Sequence, residues 1–142
     1  MSDLDNRLTD GPMRRFRLFL LIIAPIFFIV GALHLVLGLG ADALLGATID
    51  PTTMSDPALD SQNRFYGVAF TLYGALLFLC VTDIPKYSTV LRYVVWVFFA
   101  AGVARLLSIV IHGVPPPSIL LLTGSELAAP LLLVWLSRVR TE

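Results

Sequence analysis

Two opposite charges lie inside apolar stretches that are each long enough to cross a bilayer. Arg105 lies in residues 90–112 and Glu126 in residues 119–136, each seven residues from the end nearest the turn 113–118. At a rise of about 1.5 Å per residue, both lie about 10 Å below the same membrane surface. A charge at the centre of a membrane helix costs about 2.5–3.5 kcal/mol, and pairing is how such charges are retained. The sequence therefore predicts that Arg105 and Glu126 pair between neighbouring antiparallel helices.

Further polar side chains lie in the half of each stretch nearest the turn 113–118, which we call the outer half. Arg105 and Ser108 are three residues apart, so they share a helical face. The opposite half of each stretch is almost wholly apolar. This asymmetry predicts a polar cluster that either binds a ligand or stabilises the packing. The residues of the predicted cluster are His34, Arg64, Tyr66, Arg105, Ser108 and Glu126.

Three kinds of chemistry fit this cluster. The guanidinium groups of Arg64 and Arg105 would hold an anionic or carbonyl head group, since arginine presents a planar fork of donors. Alternatively, Glu126 or His34 would act as an acid–base group on a lipophilic substrate. In the third interpretation the charge pair only fixes helix packing. The sequence leaves catalytic residues unassigned and the three alternatives open.

Metal, haem and nucleic-acid binding are not expected. A haem held by His34 and His112 would need both imidazoles at one depth, but His112 lies about a turn and a half nearer the surface. Cys80 is the one cysteine, which excludes an internal disulfide and a multi-cysteine metal site. The formal net charge is zero, so no bulk field favours nucleic acid.

The elements that must position these residues are membrane helices. The chain is 57% hydrophobic and 14% charged, whereas soluble domains are about 45–50% apolar and about 25% charged. About 20 apolar residues cross the hydrocarbon core, and four stretches approach or reach that length. They predict an all-α, polytopic membrane protein, with an antiparallel four-helix transmembrane bundle as its single domain over residues 16–140. The predicted helices are residues 16–40, 65–82, 88–112 and 119–136.

The distribution of basic residues predicts the orientation. Eight of the ten lysines and arginines lie on one side: six before the first stretch, between the second and third, or after the fourth, and Arg17 and Arg92 near the starts of the first and third stretches. The connection 41–63 has four aspartates and no lysine or arginine, and it ends in the turn-forming run Asp60–Asn63. The positive-inside rule then places both termini and the segment 1–15 in the cytoplasm. The loop 41–63 faces outward, where it would cap the mouth of the bundle.

Three groups of residues resemble a known family. Asp60–Gly67 (DSQNRFYG) is similar to the signature at the entrance to its second helix, and Ala101–Ser108 (AGVARLLS) to its third-helix signature. The turn and fourth helix match at Gly113, Pro115, Glu126, Leu127 and Pro130. Together these residues resemble the uncharacterised bacterial membrane proteins of domain-of-unknown-function family 4345, over roughly residues 16–140. The resemblance implies the architecture and a shared polar set, and no activity.

The predicted function is binding of a small amphipathic or lipid-like ligand, or of a partner, through the polar cluster. No nucleophile, metal set or cofactor motif favours the enzyme alternative, and a purely structural or assembly subunit is the third possibility. The expected partners are the lipid bilayer, a lipophilic small molecule, and a second copy or another membrane subunit. The expected location is the bacterial inner membrane.

Overall fold

The structure, a computed structural model, describes residues 11–141. Most of the predicted N-terminal segment, Met1–Asp10, therefore lies outside the described residues, and residues 11–15 already belong to a helix. Within the described range the chain forms seven α-helices and no strand, so the predicted all-α class is confirmed. The helices are α1 (Gly11–Leu37), α2 (Gly40–Leu44), α3 (Pro51–Met54), α4 (Pro57–Thr82), α5 (Ser88–His112), α6 (Pro117–Ala128) and α7 (Leu131–Thr141).

Three of these helices are long and apolar enough to cross a membrane. They are α1, α4 and α5, and the pair α6 and α7 makes a fourth if the two count as one bent span. Only 22%, 28% and 17% of the apolar windows of the three helices is buried inside the molecule. Most of their apolar side chains therefore face outward, which a soluble protein would not tolerate and a lipid environment favours. These features indicate an integral membrane protein.

The start of α4 corrects the sequence-based boundary. The second apolar stretch predicted a helix from residue 65, but α4 begins at Pro57. Asp56 caps it, because its carboxylate accepts hydrogen bonds from the backbone N–H groups of Ala58 (2.8 Å) and Leu59 (3.2 Å). A proline at the first helical position loses no helical hydrogen bond. The run Asp60–Asn63, predicted as a turn, is consequently helical.

The predicted loop 41–63 is shorter and more structured than expected. α1 ends at Leu37 rather than residue 40, because Gly38 has a φ of 55° that turns the chain. α2 and α3 follow, and Asp50 caps α3 by accepting from the hydroxyl and amide groups of Thr52 and Thr53. Hydrogen bonds from both hydroxyls hold the pKa of Asp50 well below its ordinary value. We call the end of the molecule with residues 38–56 and 113–116 the loop end, and the opposite end, with residues 83–87, the terminal end.

The fourth apolar stretch is broken, which corrects the predicted continuous helix 119–136. α6 ends at Ala128 and α7 begins at Leu131, with an angle of 42° between them. Pro130 explains the break, because proline has no N–H to donate and its ring clashes with the carbonyl four residues earlier. That carbonyl belongs to Glu126, and it accepts from the N–H of Ala129 at 3.2 Å instead.

The helices pack closely as two antiparallel pairs. α1 packs against α4 where Gly31 meets Gly67, and a Cβ on Gly67 would lie 2.8 Å from the carbonyl oxygen of Gly31. α5 packs against α6 at Gly102. Small residues allow such close approach of membrane helices. Ala100 and Ala104, whose small side chains and four-residue spacing on α5 are typical of a helix-packing face, are exposed.

Buried apolar and buried polar side chains separate along the molecule. The five largest fully buried side chains lie in the terminal half, where α1, α4, α5 and the 83–87 turn meet, and Phe16 packs edge-on against Trp135 of α7. The buried polar residues lie nearer the loop end, and they are His34, Asn63, Thr123 and Glu126. The molecule therefore has an apolar half and a half with buried polar groups, as the sequence predicted.

Candidate functional site

The predicted pairing of Arg105 with Glu126 is confirmed. The Nε–H group of Arg105 donates to both carboxylate oxygens of Glu126, at 3.0 Å to Oε1 and 2.9 Å to Oε2. The Glu126 side chain is 3% exposed and the Arg105 side chain 32% exposed. The carboxylate is thus enclosed, while part of the guanidinium is reachable from outside the protein.

Local features of α5 and α6 make this contact possible. Gly102 precedes Arg105 by one turn, and a Cβ there would lie 2.9 Å from the Cβ of Glu126. Any larger residue would push α6 away from α5. The backbone break at Pro130 begins one turn after Glu126, so the pair lies where the fourth span bends.

The outer part of the Arg105 guanidinium has unused hydrogen-bonding capacity. Arg105 donates to Glu126 through Nε alone, and neither Nη1 nor Nη2 finds an acceptor among residues 11–139. Unpaired donors away from water are costly, and the cost is higher for a charged group. The Nη groups are therefore positioned to bind an oxygen acceptor that the described chain does not supply.

A groove that the sequence analysis did not find comes near the pair at Ser125, although neither Arg105 nor Glu126 lines it. It has a volume of about 610 Å³ and runs between α1, α5 and the α6–α7 span. Phe27, Tyr73 and Phe98 form one wall, with ring centroids 5.3 to 5.7 Å apart. The Tyr73 hydroxyl donates to the carbonyl of Val94, so this wall offers little free polarity. The volume is in the range of small-molecule pockets, roughly 300–1,000 Å³.

The groove and the charge pair follow each other along the same helix faces. Phe98 lines the groove, and Gly102 and Arg105 follow it at four and seven residues, which is one face of α5. On α6, Leu122 lines the groove and Glu126 follows it by four residues, which is also one helix face. Arg105 therefore stands about 10 Å beyond Phe98 toward the loop end. The charged donor Arg105 therefore lies on the loop-end side of the groove residue Phe98, on the same face of α5.

Arg64 is engaged elsewhere. Its Nη1 donates to the backbone carbonyls of Leu35 (2.5 Å) and Val36 (3.3 Å), which are left open at the end of α1. Its Nε donates to Asp60 at 2.8 Å. Arg64 thus caps α1 from α4, and its observed contacts join it to this corner rather than to Arg105.

His34 lies buried between α1 and the loop. Its Nδ1 is 2.8 Å from the carbonyl oxygen of Val30, and its Nε2 is 3.6 Å from Asp42 on α2. Its ring also lies 5.3 Å from that of Phe70 on α4. These contacts tie α1, α2 and α4 together.

The remaining predicted cluster residues do not join the pair. Tyr66 and Ser108 are exposed on α4 and α5, as is His112 at the end of α5. Thr123 is buried one turn before Glu126, but its hydroxyl donates to the carbonyl of Ile119. Of the predicted set, only Arg105 and Glu126 contact one another directly.

Asn63 is a buried polar residue that the sequence did not single out. It is buried, and its Oδ1 has no hydrogen-bond partner among the residues that the structure describes. The usual signals would not have found it, because in the run Asp60–Asn63 it read as part of a turn. Within residues 11–141 no group of histidine, cysteine, aspartate or glutamate side chains is arranged to hold a metal ion.

Comparison with known proteins identifies a family. No curated protein and no solved structure matches the chain. A family model described as a domain of unknown function (DUF4345) matches residues 15–137. That range covers the charge pair, the groove and the capping arginine, and it agrees with the resemblance carried by the Asp60–Gly67 and Ala101–Ser108 motifs. The chain therefore belongs to the DUF4345 family.

Proposed function

We propose that this protein is a four-helix membrane bundle, with both termini in the cytoplasm, that holds a lipid-like ligand from the bilayer. The apolar part of the ligand occupies the groove beside α1, α5 and α6–α7, and its oxygen-bearing head binds the Nη groups of Arg105. The expected setting remains the bacterial inner membrane.

One juxtaposition carries the proposal: the Nη groups of Arg105 have no acceptor on the described chain, and Arg105 lies about 10 Å along α5 from Phe98, which lines an apolar groove of about 610 Å³. An arginine whose only role is to pin two helices would be expected to satisfy more of its donors on protein. The groove also opens to the side, because its rim residues Ile26 and Leu131 are exposed. A ligand dissolved in the bilayer can therefore enter without passing through water.

The acid–base alternative has less support from the geometry. Glu126 is almost completely enclosed, and both of its oxygens accept from Arg105. A general base needs hydrogen-bond reach to the substrate proton. His34 is buried at the opposite pair of helices, with both ring nitrogens facing protein atoms.

The two tryptophans of the chain allow a direct test. Trp135 lines the groove, whereas Trp96 is 54% exposed on α5 and lines none of it. In nanodiscs, Trp96→Phe leaves Trp135 as the reporter of groove occupancy, and Trp135→Phe leaves Trp96 as the reporter of bulk lipid. The probes are brominated monoolein and its phosphate ester, because bromine quenches tryptophan fluorescence on contact.

We expect at least one probe to quench Trp135 saturably and Trp96 only in proportion to its bulk concentration. Ala128→Phe fills the groove and should remove the saturable component, while Ala100→Phe, on the exposed face of α5, should leave it. Identical, non-saturating quenching of both tryptophans by both probes would overturn the proposal and favour a structural role for the charge pair.

A further inference from the structure

We infer that the ligand head group is an uncharged carbonyl on a single-chain lipid, rather than a carboxylate or a phosphate. The inference rests on the proposed function and specifies the ligand class of the same site.

The charges of Arg105 and Glu126 already balance at the site itself. The positive charge of Arg105 is already matched by the carboxylate of Glu126 at 2.9 Å. An anionic head at the Nη groups would form a cluster with a net negative charge. The desolvation free energy of that extra negative charge exceeds its Coulombic attraction to a guanidinium that is already paired with Glu126.

The surrounding half of the molecule has a net negative charge. Around the loop end, residues 26–74 and 100–128 contain two arginines and five carboxylates, so their formal charge is 2 − 5 = −3 with histidines neutral. The other arginine, Arg64, is occupied by Asp60. An anion approaching Arg105 would therefore meet a negative field and no unmatched arginine.

The hydrogen-bonding capacity of Arg105 gives a further argument. The Nη groups need acceptor lone pairs, and a carbonyl oxygen has two of them without a formal charge. A hydrogen bond from a charged donor to a neutral acceptor is still a strong one. An ester or ketone carbonyl thus satisfies Arg105 and leaves the charge balance of the pair unchanged.

The volume of the groove, about 610 Å³, and its apolar lining favour one apolar chain. The groove is lined mostly by apolar side chains, and its side-chain polar groups are the Ser125 hydroxyl, the Tyr73 hydroxyl, which donates to Val94, and the Trp135 indole N–H. No charged side chain is among the lining residues, and at the terminal end the ring centroids of Phe19 and Trp135 lie 5.7 Å apart. A second charged head group would therefore have no ionic partner within the groove.

The experiment compares two probes that differ only by a phosphate. Brominated monoolein and its phosphate ester are titrated into nanodiscs that contain the Trp96→Phe protein, and each affinity is corrected for membrane partition with the Trp135→Phe protein. We expect monoolein to bind Trp135-reported sites more tightly by about tenfold or more. Its binding should not change with salt, since no ion pair forms.

Glu126→Gln tests the cause of the preference. Without the carboxylate, Arg105 carries an unmatched charge, so the preference for monoolein should shrink or reverse toward the phosphate ester. Asp50→Asn is the matched control, because it removes a carboxylate that caps α3 far along the chain from the groove.

The outcomes separate the inference from the proposed function. Equal or tighter binding of the phosphate ester to the protein with Glu126 intact overturns the neutral-head inference and leaves the groove as a ligand site. Saturable binding of neither probe overturns both. If Glu126→Gln does not fold, the relative affinities of the two probes for the protein that retains Glu126 still test the neutral-head inference.

Discussion

Arg105 does two things with one guanidinium. Its Nε donates to Glu126 across the contact between α5 and α6, and its Nη groups donate to no acceptor among the described residues. The division matters because breaking a buried ion pair leaves one uncompensated charge, which costs more than the intact pair contributes. Stability and ligand binding at this residue can therefore be separated by choosing which partner is removed.

The first prediction at this scale concerns the pair itself. Glu126→Gln and Arg105→Met should each lower the free energy of unfolding by about 2–3 kcal/mol, at or below the usual range for buried pairs because Arg105 is partly exposed. The double variant should recover part of the loss, because it leaves no orphan charge. Thermal unfolding in nanodiscs measures all three.

Arg15→Gln is the control for the loss of a positive charge, since Arg15 is exposed near the start of α1. It should leave the unfolding temperature nearly unchanged. Strictly additive losses in the double variant would mean that Arg105 and Glu126 do not stabilise one another.

At the scale of the helices, α5 and α6 are held at a distance that one glycine sets. Gly102 faces the Cβ of Glu126, and its substitution would widen the interface that carries the ion pair. Gly124 lies two residues before Glu126 in α6, yet a Cβ there would meet nothing within 4 Å. The two glycines are therefore a matched pair, one tightly packed and one in open space.

The prediction for this element is a change of opposite sign at the two glycines. Gly102→Ala should destabilise the protein by about 1–3 kcal/mol through overpacking. Gly124→Ala should stabilise it by up to about 1 kcal/mol, because alanine has the higher helix propensity. Equal effects in thermal unfolding would contradict the close α5–α6 contact.

For the whole molecule, the main consequence of the fold is that its two ends differ. The terminal end is closed by apolar packing around Phe16, Leu91 and Ile84, whereas the loop end carries all but one of the described aspartates and the capping contacts of Asp50 and Asp56. Ser118 at the start of α6 also donates to the carbonyl of Leu45, which fastens the loop to the 113–116 turn. Such an asymmetric molecule has a defined orientation in a bilayer.

The prediction at this scale is the direction of insertion. A cysteine introduced at Thr48, exposed at the loop end, should react with a membrane-impermeant maleimide in intact cells. A cysteine at Lys86, exposed in the turn at the terminal end, should react only after permeabilisation. Cys80 is buried and contributes no background. The reverse labelling pattern would contradict the positive-inside assignment.

Sequence reasoning succeeded where a physical constraint acts along one helix. Apolar length identified the spans, and matched depth alone predicted the Arg105–Glu126 contact. The start of α4 was also readable, since Asp56 followed by Pro57 is a capping residue and a first-turn proline. It was missed because the polar run that follows them resembles a turn.

What sequence reasoning could not supply depends on how helices are placed against each other. From the sequence, Arg64 was predicted to hold a ligand head group. The structure shows instead that it donates to the backbone carbonyls of Leu35 and Val36 at the end of α1. The groove likewise has no local signature, because the residues that line it come from five helices and lie on both sides of the bend at Pro130. These features are properties of the packed chain.

The division of the helices into two close pairs bears on how the protein enters the membrane. Each pair consists of two spans that follow one another in the chain, α1 with α4 and α5 with the bent span α6–α7. Each pair can therefore leave the insertion machinery as a hairpin. Arg105 and Glu126 belong to the same hairpin, separated by the 113–116 turn. Arg105 and Glu126 can then pair within their own hairpin as it enters the membrane. The two charges would already be neutralised when this hairpin packs against the pair α1 and α4.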